Sequence, residues 1–273
     1  MYLASRPLES SSTVPFRRGP DFVDRGDLLS WVDERCSQPA GRAALIGLGG
    51  VGKSQLAIEH THRTRERSPD IWVFWVHASN AARKIADVIK IVGREDSKAD
   101  IFKLVHDWLC GCEGKWLLIL DNLDNTDLLP EAEDTGRGGQ WISIDSEPRQ
   151  PMSAYLSQNQ NGSILVTSRS QAAALKLVEE KNIVAVQPMA SAHALSLFEK
   201  KLGPLGQSDN TAELAAALEF MPLAIVQAAA YISQRAPRCF VQRYLEDFRK
   251  SDCRRTSLLN YEGGHYRLMC EPS

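Results

Sequence analysis

The spacing of apolar residues along this chain changes at residue 188. Ahead of it, short unbroken apolar runs alternate with stretches of helical period, and beyond it only the helical period continues. The runs are Ala43 to Ile46, Ile71 to Val76, Trp116 to Leu120, Ile164 to Val166 and Ile183 to Val186. Unbroken runs of this length fit strands covered on both faces, as in a parallel sheet. Between them, Ser54 to Glu59 continues as a helix; Ile85, Val88, Ile89 and Val92, then Ile101, Leu104, Val105, Trp108 and Leu109, mark two more. Asp27 is placed to cap a helix whose positions 28, 31 and 32 share a face. This βαβ rhythm predicts an α/β fold, a parallel sheet sandwiched by helices.

Past Pro188 four helical stripes follow: Leu195, Phe198 and Leu202; Leu214, Leu218 and Met221; Leu223, Val226, Ala230 and Tyr231; and Phe240, Tyr244 and Phe248. They predict a small all-helical subdomain after the sheet. The expected division is a disordered leader over 1–20, an α/β sheet domain over 21–188, a small helical subdomain over 189–250, and a poorly ordered segment over 251–273. Residues 133–150, rich in Gly, Ser and acids, read as a surface excursion.

Composition narrows the setting. Lys plus Arg number 32 against 34 for Asp plus Glu, a net charge of -2, which gives no global reason to expect nucleic acid or an anionic membrane as partner. No apolar stretch approaches the roughly 20 residues of a membrane span, and the first residues lack the apolar core of a signal peptide. The expected location is the cytoplasm. The six cysteines lack metal-ligand spacing, so free or buried thiols are expected.

The chemistry concentrates after the first strand. Gly47-Leu48-Gly49-Gly50-Val51-Gly52-Lys53-Ser54 fits G-x-x-x-x-G-K-[ST], between an apolar strand and a helix. Glycines let successive N–H groups and the positive end of the helix dipole face a phosphate. Gly47, Gly49, Gly50, Val51, Gly52, Lys53, Ser54 and Gln55 are therefore the expected nucleotide-binding set. Within it, Lys53 supplies charge to the β/γ-phosphates and Ser54 a hydroxyl for Mg²⁺. Leu117-Leu118-Ile119-Leu120-Asp121-Asn122 is an apolar strand ending in an acid, the expected Walker B, with Asp121 toward Mg²⁺. Thr167 to Arg169 end the next buried strand, where Arg169 would reach a γ-phosphate. Pro222 marks the first turn of a helix.

Assembled in this order, the motifs resemble the NB-ARC module of signal-transduction ATPases with numerous domains (STAND), from about Phe22 to Arg249. They run from Phe22-Val23-Asp24-Arg25 through the loop, the Trp72 to Ala78 strand, Leu117 to Asn122 and Gly162 to Arg169, to Phe220-Met221-Pro222-Leu223-Ala224. The Asp-Asn ending of the Walker B strand and the Met221 to Tyr231 run look most similar to fungal NOD-like receptors. The resemblance implies that Val23 and Arg25 lie near adenine and ribose, that Arg169 is a sensor of the γ-phosphate, and that Pro222 packs on the base.

It further implies a switch. ADP would hold a closed state beneath the helical lid, and ATP with Mg²⁺ would favour an open one that self-associates or associates with related NB-ARC proteins. Two departures qualify this. Asn122 stands where relatives carry a second acid, and an amide cannot accept a proton from water, so hydrolysis is expected to be slow or absent. The segment Leu258 to Gly264 resembles the lead-in to a winged helix that the sequence then lacks, which motivates the alternative of a truncated interaction or decoy fragment pairing with full-length relatives. A metabolic kinase is a third reading, without an acceptor-binding motif to support it.

Overall fold

A computed structural model describes residues 14–77, 107–124, 159–203 and 209–250. The expected helices between 85 and 106, the excursion over 133–150 and the segment 251–273 lie outside the described residues, as do residues 1–13 of the leader. The five apolar runs form one sheet from strands β1 (Arg42–Ile46), β2 (Trp72–His77), β3 (Trp116–Asp121), β4 (Gly162–Ser168) and β5 (Ile183–Ala185), in the order β2-β3-β4-β1-β5. The β2–β3, β3–β4 and β1–β4 pairs are parallel. This is the expected α/β architecture. All six residues of β3 and all seven of β4 are buried, which is why these strands read as unbroken apolar runs instead of alternating ones.

Register sets the chemistry. Ile46 lies opposite Ser168 and His77 opposite Asp121, so the strands carrying Asp121 and Arg169 end at one carboxyl edge of the sheet. At the amino edge Trp116, the first residue of β3, pairs with Gly162, the first of β4. Trp72 stacks on Phe74 at a centroid distance of 6.0 Å, and both meet Trp108 edge-on, at 5.5 and 5.9 Å. This aromatic group belongs to the cluster formed by Leu118, Leu120, Ile164, Val166 and Leu177.

Contacts divide the chain into two compact units. The sheet unit takes its described residues from Val32–Ile46 and His60–Val184, and the second from Pro15–Trp31, Gly47–Glu59 and Ala185 onward. The second unit thus joins the opening motif, the glycine-rich loop and the described helices that follow Ala185. Among the described residues the α-helices are α1 (Gly26–Cys36), α2 (Lys53–Arg67), α3 (Gln171–Leu175), α4 (Ser191–Leu202), α5 (Asp209–Ala217), α6 (Pro222–Arg235) and α7 (Val241–Lys250). Leu197, Phe198, Leu214, Ile225, Ala229, Ile232 and Tyr244 build the second core, and Val23 joins it. Tyr244 packs edge-on against Tyr231 at 5.4 Å and stacks on Phe248 at 6.2 Å.

Some details depart from the sequence reading. Leu223 and Phe240, placed by period on core faces, are exposed, and α6 instead buries Ile225, Val226, Ala228, Ala229 and Ile232. In an alanine-rich helix period alone fixes the buried stripe poorly, because Ala is compatible with either face. Residues 14–20, assigned by sequence to the leader, run alongside α2, where Arg18 donates to both oxygens of Glu59, at 2.8 and 2.5 Å.

Candidate functional site

The glycine-rich loop leaves β1 after Ile46 and ends in the first turn of α2. Three of its glycines, Gly47, Gly50 and Gly52, take positive φ, and at the first two a side chain would also meet a close neighbour. Gly50 has φ 79°, and a Cβ there would lie 2.9 Å from Leu223 Cβ; at Gly47, φ is 148° and a Cβ would lie 2.6 Å from the Val186 carbonyl oxygen. Any side chain at either position would be strained in itself and would push on its neighbour. Lys53, 7% exposed, donates through Nζ to Gly47 O at 2.8 Å and Leu48 O at 2.9 Å. The ammonium therefore braces the loop from inside. Leu56 N–H closes the helix on Gly52 O at 3.0 Å, setting the positive end of the α2 dipole at the loop. Ser54 is half-buried in that turn, Gln55 is exposed beside it and Gly49 is exposed on the loop.

Arg25 holds this loop from the opening motif. Its guanidinium donates to Val51 O at 3.2 Å, Gln187 O at 2.6 Å and Pro188 O at 3.5 Å, and burial lowers its pKa. Val51 itself is buried, and the Val23 side chain lies inside the helical cluster. Pro222 opens α6, with Cγ 3.9 Å from where a Cβ would stand on Gly52. The following residue makes the connection that sequence reading missed: Leu223 N–H donates to Gly50 O at 3.1 Å. An otherwise orphaned N–H of the first helical turn is thereby satisfied by the loop. No local signal links residues so far apart in sequence.

In the sheet unit, Asp121 ends β3 and is 9% exposed. Thr167 on β4 donates its hydroxyl to Asp121 Oδ1 at 2.6 Å and accepts Asn122 N–H at 3.1 Å. Asn122 takes the left-handed conformation, φ 58°, which an asparagine tolerates. Next to it, Ser168 donates to Leu123 O at 2.6 Å. Arg169 donates through its backbone N–H and through Nε to the two oxygens of Asp124, both at 2.6 Å, with its side chain 67% exposed. Asp124, unremarkable in the sequence, therefore positions the expected sensor.

Thr167 is fully buried, and valine has its shape without the hydroxyl. Thr167→Val leaves Asp121 and Asn122 N–H without that partner, at an expected cost of about 1–3 kcal/mol. Urea unfolding should show the loss as a lower midpoint at unchanged slope.

Among the described residues no group of three or more His, Cys, Asp or Glu could hold a metal ion. Among the same residues no helix is long and apolar enough to cross a membrane.

No family model matches the chain. A nucleotide-binding leucine-rich repeat (NLR)-like protein of Hyaloscypha variabilis is 33% identical over 256 residues, covering 88% of this chain and 25% of that protein. The chain thus spans about a quarter of that relative's length. A Walker-type ATPase of Pyrococcus abyssi is 13% identical and matches 86% of this chain and 73% of its own with a TM-score of 0.53. A signal-transduction ATPase with numerous domains and a tetratricopeptide repeat sensor, from Pyrococcus horikoshii, is 19% identical, covers 82% of this chain and 32% of its own, and has a TM-score of 0.48.

Proposed function

The chain belongs to the NB-ARC class of P-loop ATPases, the nucleotide-binding module of NLR-like proteins, and from this premise we propose that it is a switch set by ADP and ATP. The observation that carries the proposal is the bond from Leu223 N–H to Gly50 O. The loop that would hold the phosphates and the helix that opens the Met-Pro-Leu turn share a backbone contact, so a change in loop occupancy is felt by α6. A switch needs such a differential contact between states.

Each residue has a part in this proposal. Lys53 and the loop N–H groups bind the β-phosphate, and Ser54 and Asp121 hold Mg²⁺, which when bound spreads the phosphate charge. Arg25 fixes the loop from the ribose side, and Pro222 packs on the base. Arg169 reads the γ-phosphate by exchanging Asp124 for it. Asn122 offers no base for water, so turnover is slow and serves to reset the state. The open form self-associates in the cytoplasm, within an immune-type signalling protein.

Purified protein is expected to carry one equivalent of ADP, released by acid and identified by chromatography. In a single-turnover assay bound ATP should convert to ADP slowly. A chain that holds no nucleotide and takes up neither ADP nor ATP in a calorimetric titration would falsify the proposal.

A further inference from the structure

The segment from Arg18 to Arg25 contains no helix or strand, and it turns where Phe22 N–H donates to Gly19 O at 3.1 Å. Side chains fix its course. Arg18 donates through Nε and Nη2 to the two oxygens of Glu59 on α2, at 2.8 and 2.5 Å, and the Glu59 side chain is 3% exposed. Asp21 pairs with Lys201 on α4 at 2.8 Å, and Lys200 beside it donates to Phe22 O at 2.6 Å. Val23 is buried in the helical core, and Arg25 ends the segment on Val51 O and Gln187 O. The segment is thus a strap. It ties α2, the helix that leaves the glycine-rich loop, to α4, the first helix after residue 188, and all of these residues belong to one compact unit.

The strap lies against the residues expected to hold nucleotide. A Cβ on Gly19 would stand 3.6 Å from Gln55 Oε1, so the backbone there passes within van der Waals reach of the residue after Ser54. At the other end Arg25 grips Val51. The ties differ in strength. A carboxylate as buried as Glu59 needs a charged partner, and a guanidinium meeting both oxygens supplies one. Asp21 and Lys201, with side chains 33% and 30% exposed, make a weaker tie that water and salt screen.

We propose that residues 18–25 are a gate on nucleotide exchange, which rests on the proposal that ADP and ATP occupy the glycine-rich loop. With Arg25 on the ribose side, nucleotide enters and leaves only while the strap is lifted. Such a gate has a kinetic signature. Ties that hold the strap down whether or not nucleotide is present slow entry and exit by the same factor and cancel in the affinity. A contact that merely supports the bound state changes exit and affinity together.

The test follows a fluorescent ADP analogue on the full chain in stopped flow, by direct mixing for entry and by a chase with unlabelled ADP for exit. Arg18→Ala should raise both rates at least about tenfold, the worth of one charged hydrogen-bonded contact, while Kd moves by less than about threefold. Lys201→Ala, whose loss leaves no deeply buried charge, should raise both rates about two- to fivefold, as fits a screened pair. Exit that quickens alone with Kd rising in step, or rates unchanged in both variants, would overturn the gate while leaving nucleotide binding in place. An unsubstituted chain that takes up neither nucleotide would remove the binding proposal and the gate together.

Discussion

Replacing Lys53 by alanine is expected to lower ADP affinity at least about 100-fold, to the point where a calorimetric titration at micromolar protein shows no heat. Two losses combine. The first is the charged contact to phosphate, worth about 1.5–3 kcal/mol, or roughly tenfold to a hundredfold. The second is internal: Nζ now neutralises Gly47 O and Leu48 O, and without it these two carbonyl dipoles are left beside an anion. The loop then becomes a poorer cradle as well as a less positive one. Thermal unfolding separates the two effects, since a ligand that binds only the folded chain raises the midpoint by mass action. Without nucleotide, the difference between Lys53→Ala and the parent reports the brace alone; with excess ADP, the parent should rise and the variant should stay where it was. An affinity equal to the parent's would remove Lys53 from the site.

How far the sequence could be read follows the range of the interactions involved. The strands were visible because burial on both faces writes itself locally, as Leu117 to Leu120 and Ile164 to Val166 show. The glycine-rich loop was visible because its backbone demands glycine at fixed spacing. Partnerships between distant residues left no such mark. Asp124 fell in no motif, yet it holds Arg169 by two bonds. Arg25 was read toward the nucleotide from its match to a motif, and the structure adds its contacts to Val51, Gln187 and Pro188 carbonyls. Val23, matched to the same motif, has its side chain inside the helical core. Only register brings Trp116 and Gly162 together.

That register also produces the largest stability effect expected in the chain. Gly162→Ala places a methyl 1.9 Å from Trp116 Cζ2, 2.2 Å from Cε2 and 2.4 Å from Cη2, well inside van der Waals contact. Neither partner has room to yield, because Trp116 is 1% exposed and Gly162 is held in the ladder between β3 and β4. Overpacking of this kind costs about 1–3 kcal/mol and occasionally more; with a rigid indole as the obstacle, about 3 kcal/mol or above is expected. At a urea slope of about 1–3 kcal/mol per molar, the midpoint should fall by roughly 1–3 M. A double-mutant cycle identifies the cause. Trp116→Leu alone leaves a cavity and destabilises, but in the Gly162→Ala background it removes the obstacle the methyl meets. The double variant should therefore lose at least about 1 kcal/mol less than the sum of the single changes. Strict additivity would mean that Gly162 is required by something other than the tryptophan across from it.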